Sequence, residues 1–225
     1  MRRLPEILLI FVSIYVLLAF AAPTLLRLGF TDAGMGIHSI YRIFCHQRVE
    51  RSAFLFGEEG IINFYTRDEL QEAGVIPLEN PEIPEPFDER FFGYPYVGNS
   101  EMGYKMPLCM RDVPLYLAFL IFGWIYLAIA RKKKRVKKFP WWMILLFMMP
   151  MAVDGVFQYA TEFFLVGQLP EAYYDNIPKR IVTGALFGIG FAMIIIPVLL
   201  DSLEMLYNNG EDSKLEKNGS GNEKS

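Results

Sequence analysis

VPLYLAFLIFGWIYLAIARKKKRVKK, residues 113–138, is a run of eighteen uncharged residues followed by seven basic ones in eight. A helix rises about 1.5 Å per residue, so the uncharged part reaches close to the roughly 30 Å of a hydrocarbon core. The basic cluster behind it is the mark of a cytoplasmic flank. Three other runs have the same character: Ile7 to Leu26, Phe139 through Val153 and past Asp154 to about Phe157, and Ile181 to Leu200. Aliphatic and aromatic residues surround each run on all sides, as expected of helices that face lipid as well as one another. The expected fold is an all-α integral membrane protein with spans at about 7–26, 113–130, 139–157 and 181–200, an outer amphipathic helix and an extracytoplasmic cap.

Composition agrees. In 225 residues, 53% are hydrophobic, 15% aromatic and only 21% charged, and mean hydropathy is +0.25. The net charge of −3 comes without a basic stripe on a soluble face, which speaks against nucleic acid as a partner. Membrane lipids are the expected partners, and a homo-oligomer stays open. Two cysteines exclude a multi-bridge scaffold or a four-cysteine zinc site. No Walker, dinucleotide, kinase or nucleophile-elbow motif occurs.

Arg2 and Arg3 precede the first span and the 131–138 cluster separates the second from the third, so both flanks are expected in the cytoplasm of a multi-pass cell-membrane protein. Four spans then bring both termini to that side, with Trp141 and Trp142 at the inner interface and a tail at 208–225 whose Gly/Asn/Ser/Lys/Glu content reads as disordered. The first span has a rival reading, since two arginines, an apolar run and Ala19-Phe20-Ala21 also resemble a cleavable signal peptide. The length of the run favours its retention.

The outer segment, 27–112, divides in two. From Thr31 to Phe56, aromatics and aliphatics at helical spacing with Arg42, Arg48 and Arg51 interleaved predict a helix at the interface or partly re-entrant. The cap, 57–103, is acidic and turn-rich: Pro77, Pro81, Pro84, Pro86 and Pro95 forbid long helices, Phe91, Phe92, Tyr94 and Tyr96 can dock, and one short helix is expected near Arg67 to Ala73.

Topology delivers the unusual polar residues to one level. Cys45, His46, Gln47, Arg51 and Ser52 follow the first span, Cys109 and Arg111 precede the second, Asp154 and Gln158 lie toward the outer end of the third, and Arg180 and Thr183 open the fourth. Asp154, Gln158 and Glu162 share a helix face at spacings of four. An ionised Asp154 in lipid costs roughly 2.5–3.5 kcal/mol, so it is expected to face the interior, with Arg180 or Arg111 as its cation. The alternative is an Asp–Arg pair that only fixes packing. Gly184 and Gly188 form a small-xxx-small pair for close helix approach.

The strings CHQRVERS at Cys45–Ser52, YKMPLCMRD at Tyr104–Asp112, PMAVDGVFQ at Pro150–Gln158 and RIVTG at Arg180–Gly184 resemble the uncharacterised membrane family known as domain of unknown function 2085. The resemblance implies that Cys45, His46, Gln47, Arg51, Ser52, Cys109, Arg111, Asp154, Gly155, Gln158, Arg180, Thr183 and Gly184 are its marked positions. It also leads one to expect a further Cys directly after Arg111. This chain has Asp112 there, which weakens a three-cysteine metal site. No reaction is implied.

Three readings compete for these residues. Cys45, His46, Cys109 and Asp154 offer thiolate, imidazole and carboxylate to a borderline ion such as zinc, although adjacent Cys and His point about 100° apart on one helix. The two cysteines also suit a disulfide in an oxidising exterior, or free thiols. Finally, Arg48, Arg51, Arg111, Lys179 and Arg180 lie where lipid phosphates reside. A pocket with Gln47, Arg51, Arg111, Arg180 and Thr183 as binding groups, and Asp154, His46 or Gln158 as catalytic candidates, would bind or process a lipid-linked or other anionic substrate. The competing class is a non-enzymatic structural or assembly subunit. His38 reads as a structural polar contact.

Overall fold

The computed structural model describes residues 3–76, 96–133, 136, 138–164 and 176–221. Among the described residues four helices are long and apolar enough to cross a membrane: α1 (Leu4–Arg27), α4 (Asp112–Lys133), the Trp141–Gln158 part of α5 (Trp141–Phe164), and the Ile177–Ser202 part of α6 (Ile177–Gly221). Between α1 and α4 the described residues include two shorter helices, α2 (Thr31–Tyr41) and α3 (Arg67–Glu72). Phe11, Leu17, Ile121, Val156 and Val198 stand exposed on the long helices, and Trp141 and Trp142 are exposed at the start of α5. Apolar surface on this scale is tolerated only against lipid or a partner.

The helices pack because small residues admit large ones. Leu9 of α1 is fully buried with Phe119, Leu127, Ala192 and Ile196, and its methyl group lies 2.7 Å from where a Cβ on Gly123 would stand. A Cβ on Gly184 would fall 2.2 Å from the Arg111 carbonyl oxygen, and one on Gly188 would fall 2.1 Å from that of Leu115. The expected glycine pair is therefore the seam along which α6 meets α4. Ion pairs Arg131–Glu6 and Lys138–Asp201, the latter at 2.7 Å, gather the start of α1, the basic loop and the late part of α6 at one end of the bundle. The sheet described next lies at the other.

That sheet corrects the all-α expectation. Strands β1 (Ser52–Leu55), β2 (Ile62–Asn63), β3 (Gly98–Asn99) and β4 (Gly103–Cys109) form an antiparallel sheet in the order β2-β1-β4-β3. Leu55 pairs with Ile62 and with Tyr104, and Asn99 pairs with Gly103. The strands were hidden because none alternates cleanly: all four residues of β1 are buried, β2 and β3 are two residues each, and β4 contains Pro107 and a fully buried Lys105. The helix expected over Thr31 to Phe56 ends at Tyr41, and the chain turns through Gln47 at a left-handed φ of 52° into the 3-10 turn Val49–Arg51. Ala19, Tyr41, Cys45, Leu55, Met106 and Leu108 form the core that fastens the sheet to the bundle, so α1 is structural to both.

The short helix expected near Arg67 to Ala73 is α3, started by a capping box in which Thr66 and Glu69 bond each other's backbone N–H. The cap prolines at 77–95 and Phe91, Phe92 and Tyr94 lie outside the described residues, as do the side chains of Thr161 and Glu162. The backbone of α6 continues as helix to Gly221, through most of the 208–225 tail. Glu211, Lys214, Leu215, Glu216 and Lys217 are good helix formers in that stretch.

Candidate functional site

Strand β4 ends at Cys109 and α4 begins at Asp112, which leaves Met110 and Arg111 as the whole connection. Successive residues at such a turn point in different directions, and the junction accordingly serves two polar clusters. On one side the Cys109 thiol donates to Asp112 Oδ2 at 3.1 Å. The buried Cys45, in the loop after α2, completes the group: the Cys45 and Cys109 sulfurs and an Asp112 oxygen all lie within 4.8 Å of one another. Both cysteines are thiols. A hydrogen bond with Cys109, together with burial, pushes the Cys45 thiol far up.

On the other side Arg111 enters the bundle. Its Nη2 donates to Asp154 Oδ2 at 2.5 Å and to Gln158 Oε1 at 2.8 Å, while Lys179 Nζ reaches Asp154 Oδ1 at 2.5 Å. Asp154 is buried, and Arg111 Nε is also buried, with no hydrogen-bond partner among the described residues. The expected Asp154–Gln158 face is thus the wall that receives Arg111. Among the described residues the salt bridges of Asp154 run to Arg111 and Lys179, where Arg180 was the expected cation of α6. One helical step turns a side chain by about 100°, so the first turn of α6 has to be located to within a residue before Lys179 and Arg180 can be told apart.

A third polar group braces the Cys45 loop. His38 Nε2 lies 3.1 Å from the Lys105 carbonyl oxygen and Nδ1 lies 3.3 Å from Gln47 Oε1, while Gln47 Nε2 donates to the His38 carbonyl at 2.7 Å. The buried Lys105 Nζ donates to the Gln47 carbonyl at 2.8 Å, and burial pushes its ammonium down to about 8. Burial pushes Glu50 upward, but Arg48 and Arg51 outweigh it and hold the carboxyl below its usual range.

His38 sets a pH dependence. Burial, followed by the charge of Lys105, pushes the imidazole from 6.5 to about 4. Between those values the unfolded chain binds a proton that the folded chain refuses, so stability falls as pH drops from 6.5 to 4, by about 3 kcal/mol. Thermal unfolding in detergent should show this slope, and His38→Gln should flatten it. A slope unchanged by the substitution would assign the effect elsewhere.

The remaining expected site residues are dispersed. Gln47 is engaged with His38, and Arg51 is buried in the 3-10 turn beside Glu50. The Thr183 hydroxyl donates to the carbonyls of Lys179 and Arg180, so it serves its own helix. Arg180 is buried. His46 is exposed, and neither it nor Asp154 belongs to the group of gathered ligand atoms, in which Asp112 stands instead. The one local signal for Asp112 is an acidic residue at a helix start three positions after a cysteine, which sequence reasoning did not use. The partnership of His38 with Lys105 had no local signal.

Residues 100–194 match the family model described as "Predicted membrane protein (DUF2085)". The resemblance drawn from the sequence motifs therefore holds over that stretch, which contains Cys109, Arg111, Asp112, Asp154, Gln158, Arg180 and Thr183. The chain is also 24% identical over 212 residues to an uncharacterized protein, MJ1492, of Methanocaldococcus jannaschii, covering 92% of this chain and 97% of that one. No solved structure matches.

Proposed function

We propose that this membrane protein uses the sheet-bearing end of its bundle to bind an anionic, lipid-linked substrate, with Arg111 as the central contact. The observation that carries the reading is the state of that guanidinium. Asp154 and Gln158 hold one nitrogen in place, and Nε is buried without a partner among the described residues. A guanidinium fixed at one corner and unsatisfied at another is prepared for phosphate or carboxylate, whose geometry it matches in fork fashion. Lys179, with its side chain 39% exposed, extends the cationic surface toward the membrane interface. Both Asp154 oxygens are engaged by cations, so its part is to position Arg111. This supports binding more than hydrolysis, and of the catalytic candidates His46 alone is exposed.

In this reading the sheet faces the outside and both termini are cytoplasmic. The support is the basic 131–138 cluster, which ion pairs bring together with the start of α1 and with Asp201.

Two experiments test the two parts. In nanodiscs of mixed phosphatidylglycerol and phosphatidylcholine, native mass spectrometry should find anionic lipid retained on the wild type. Lys179→Gln and Arg111→Gln should each weaken retention about tenfold or more. Equal retention of both lipids by the wild type, or retention unchanged in both variants, overturns the reading and favours an ion pair that serves packing alone. In sealed cells Ser100→Cys should label from outside and Ser213→Cys only after permeabilisation. The reverse result inverts the orientation.

A further inference from the structure

We propose that Cys45, Cys109 and Asp112 form a binding site for one divalent cation of the zinc class. The residues come from three separate places, the loop after α2, the end of β4 and the first position of α4, and fold into a group whose ligand atoms lie within 4.8 Å of one another. Two ligands bound about 2.0–2.3 Å from a tetrahedral ion lie on the order of 3.5 Å apart. The 3.1 Å between Cys109 Sγ and Asp112 Oδ2 is already at that scale, and a small inward movement of the sulfurs would complete the set.

The donor chemistry selects the ion. Two thiolates disfavour magnesium and calcium, which require oxygen shells, and two sulfurs with one carboxylate suit a borderline ion that accepts both. Three protein ligands leave a fourth position open to solvent or to a substrate atom, the pattern of a catalytic rather than a closed structural site.

The surroundings hold the ligands in register, which distinguishes a site from a chance meeting of side chains. Cys45 N donates to the Tyr41 carbonyl at 2.9 Å. Two residues further on, Gln47 is tied to His38 by its side chain and to Lys105 by its carbonyl. Cys109 is paired with Ser52 of β1. Asp112 is fixed by the helix it begins, and Gly184 lets α6 press on the preceding residue, Arg111. Both cysteines bind such an ion as thiolates, so loading the site releases protons. This site is separate from the Arg111 nitrogen assigned to anions, and the test of either does not read the other.

The test uses the full chain in detergent, reduced with a phosphine and titrated with Co2+. The expected result is one Co2+ per chain with a thiolate-to-cobalt charge-transfer band that Zn2+ abolishes by displacement. Cys45→Ser and Cys109→Ser should each remove most of the band. Asp112→Asn should keep thiolate character but weaken affinity about a hundredfold, and Asp112→Glu, which retains a carboxylate, should lose less. His46→Gln should leave band and affinity unchanged. Melting of each metal-free variant separates loss of the ligand from loss of the fold. The proposal is overturned if the reduced wild type shows no cobalt band, if folded Asp112→Asn binds as tightly as wild type, or if His46→Gln matches the loss in Cys45→Ser.

Discussion

Asp154→Asn is expected to lower the unfolding free energy by about 3–5 kcal/mol, because it removes the buried carboxylate that neutralises a largely enclosed arginine. Asp154 bridges Arg111 and Lys179, each at 2.5 Å. The two cations will not suffer alike. The Lys179 side chain is 39% exposed and can turn toward solvent, whereas that of Arg111 is only 14% exposed and keeps a single described neutral partner, Gln158. Most of the loss should therefore trace to Arg111, and Asp154→Asn combined with Arg111→Gln should recover the larger share of it. Denaturant unfolding in micelles, followed by helicity, measures all three proteins. A single-variant loss below about 1 kcal/mol would mean that the bridge contributes little to the fold.

Gly188→Val is expected to be at least as damaging, with a loss above about 3 kcal/mol or failure to assemble, since overpacking against a rigid neighbour commonly costs 1–3 kcal/mol even when the site can yield. Here it cannot yield. The added Cβ would stand 2.1 Å from the Leu115 carbonyl oxygen and 3.1 Å from the Phe119 nitrogen, both backbone atoms of α4. Relief requires α6 to move off α4, which would disturb Arg111, one turn away against Gly184. Gly155→Ala is the control, because beyond its own stretch of helix no atom among the described residues lies within 4 Å of its new Cβ and alanine favours a helix by about 1 kcal/mol over glycine. It should be neutral or stabilising. Thermal unfolding and yield of the detergent-extracted protein report both, and equal behaviour of the two variants would contradict the seam.

Several properties are local and were determined by the sequence alone. Spans such as 113–130 follow from a composition that no aqueous fold would tolerate, and the Thr66–Glu69 capping box starts α3 by contacts three residues long. Asp154 and Gln158 share a face through helical geometry alone, and Gly184 and Gly188 do so as well. The family motifs, being strings, were equally readable. The sheet was decided otherwise. Two-residue strands such as Ile62–Asn63 and Gly98–Asn99 have no stability of their own and exist because Ser52–Leu55 and Gly103–Cys109 offer edges to pair with. The buried Lys105 and His38, which argue against a strand and a core when read singly, are satisfied only by each other's neighbourhood. The choice of Lys179 over Arg180 as the cation seen on Asp154, and of Asp112 over His46 beside the cysteines, depends on side-chain directions at a helix start and a strand end. A change of one residue there rotates the group by about 100°, and only the packing of α6 on α4, and of the sheet on α1, sets which group arrives.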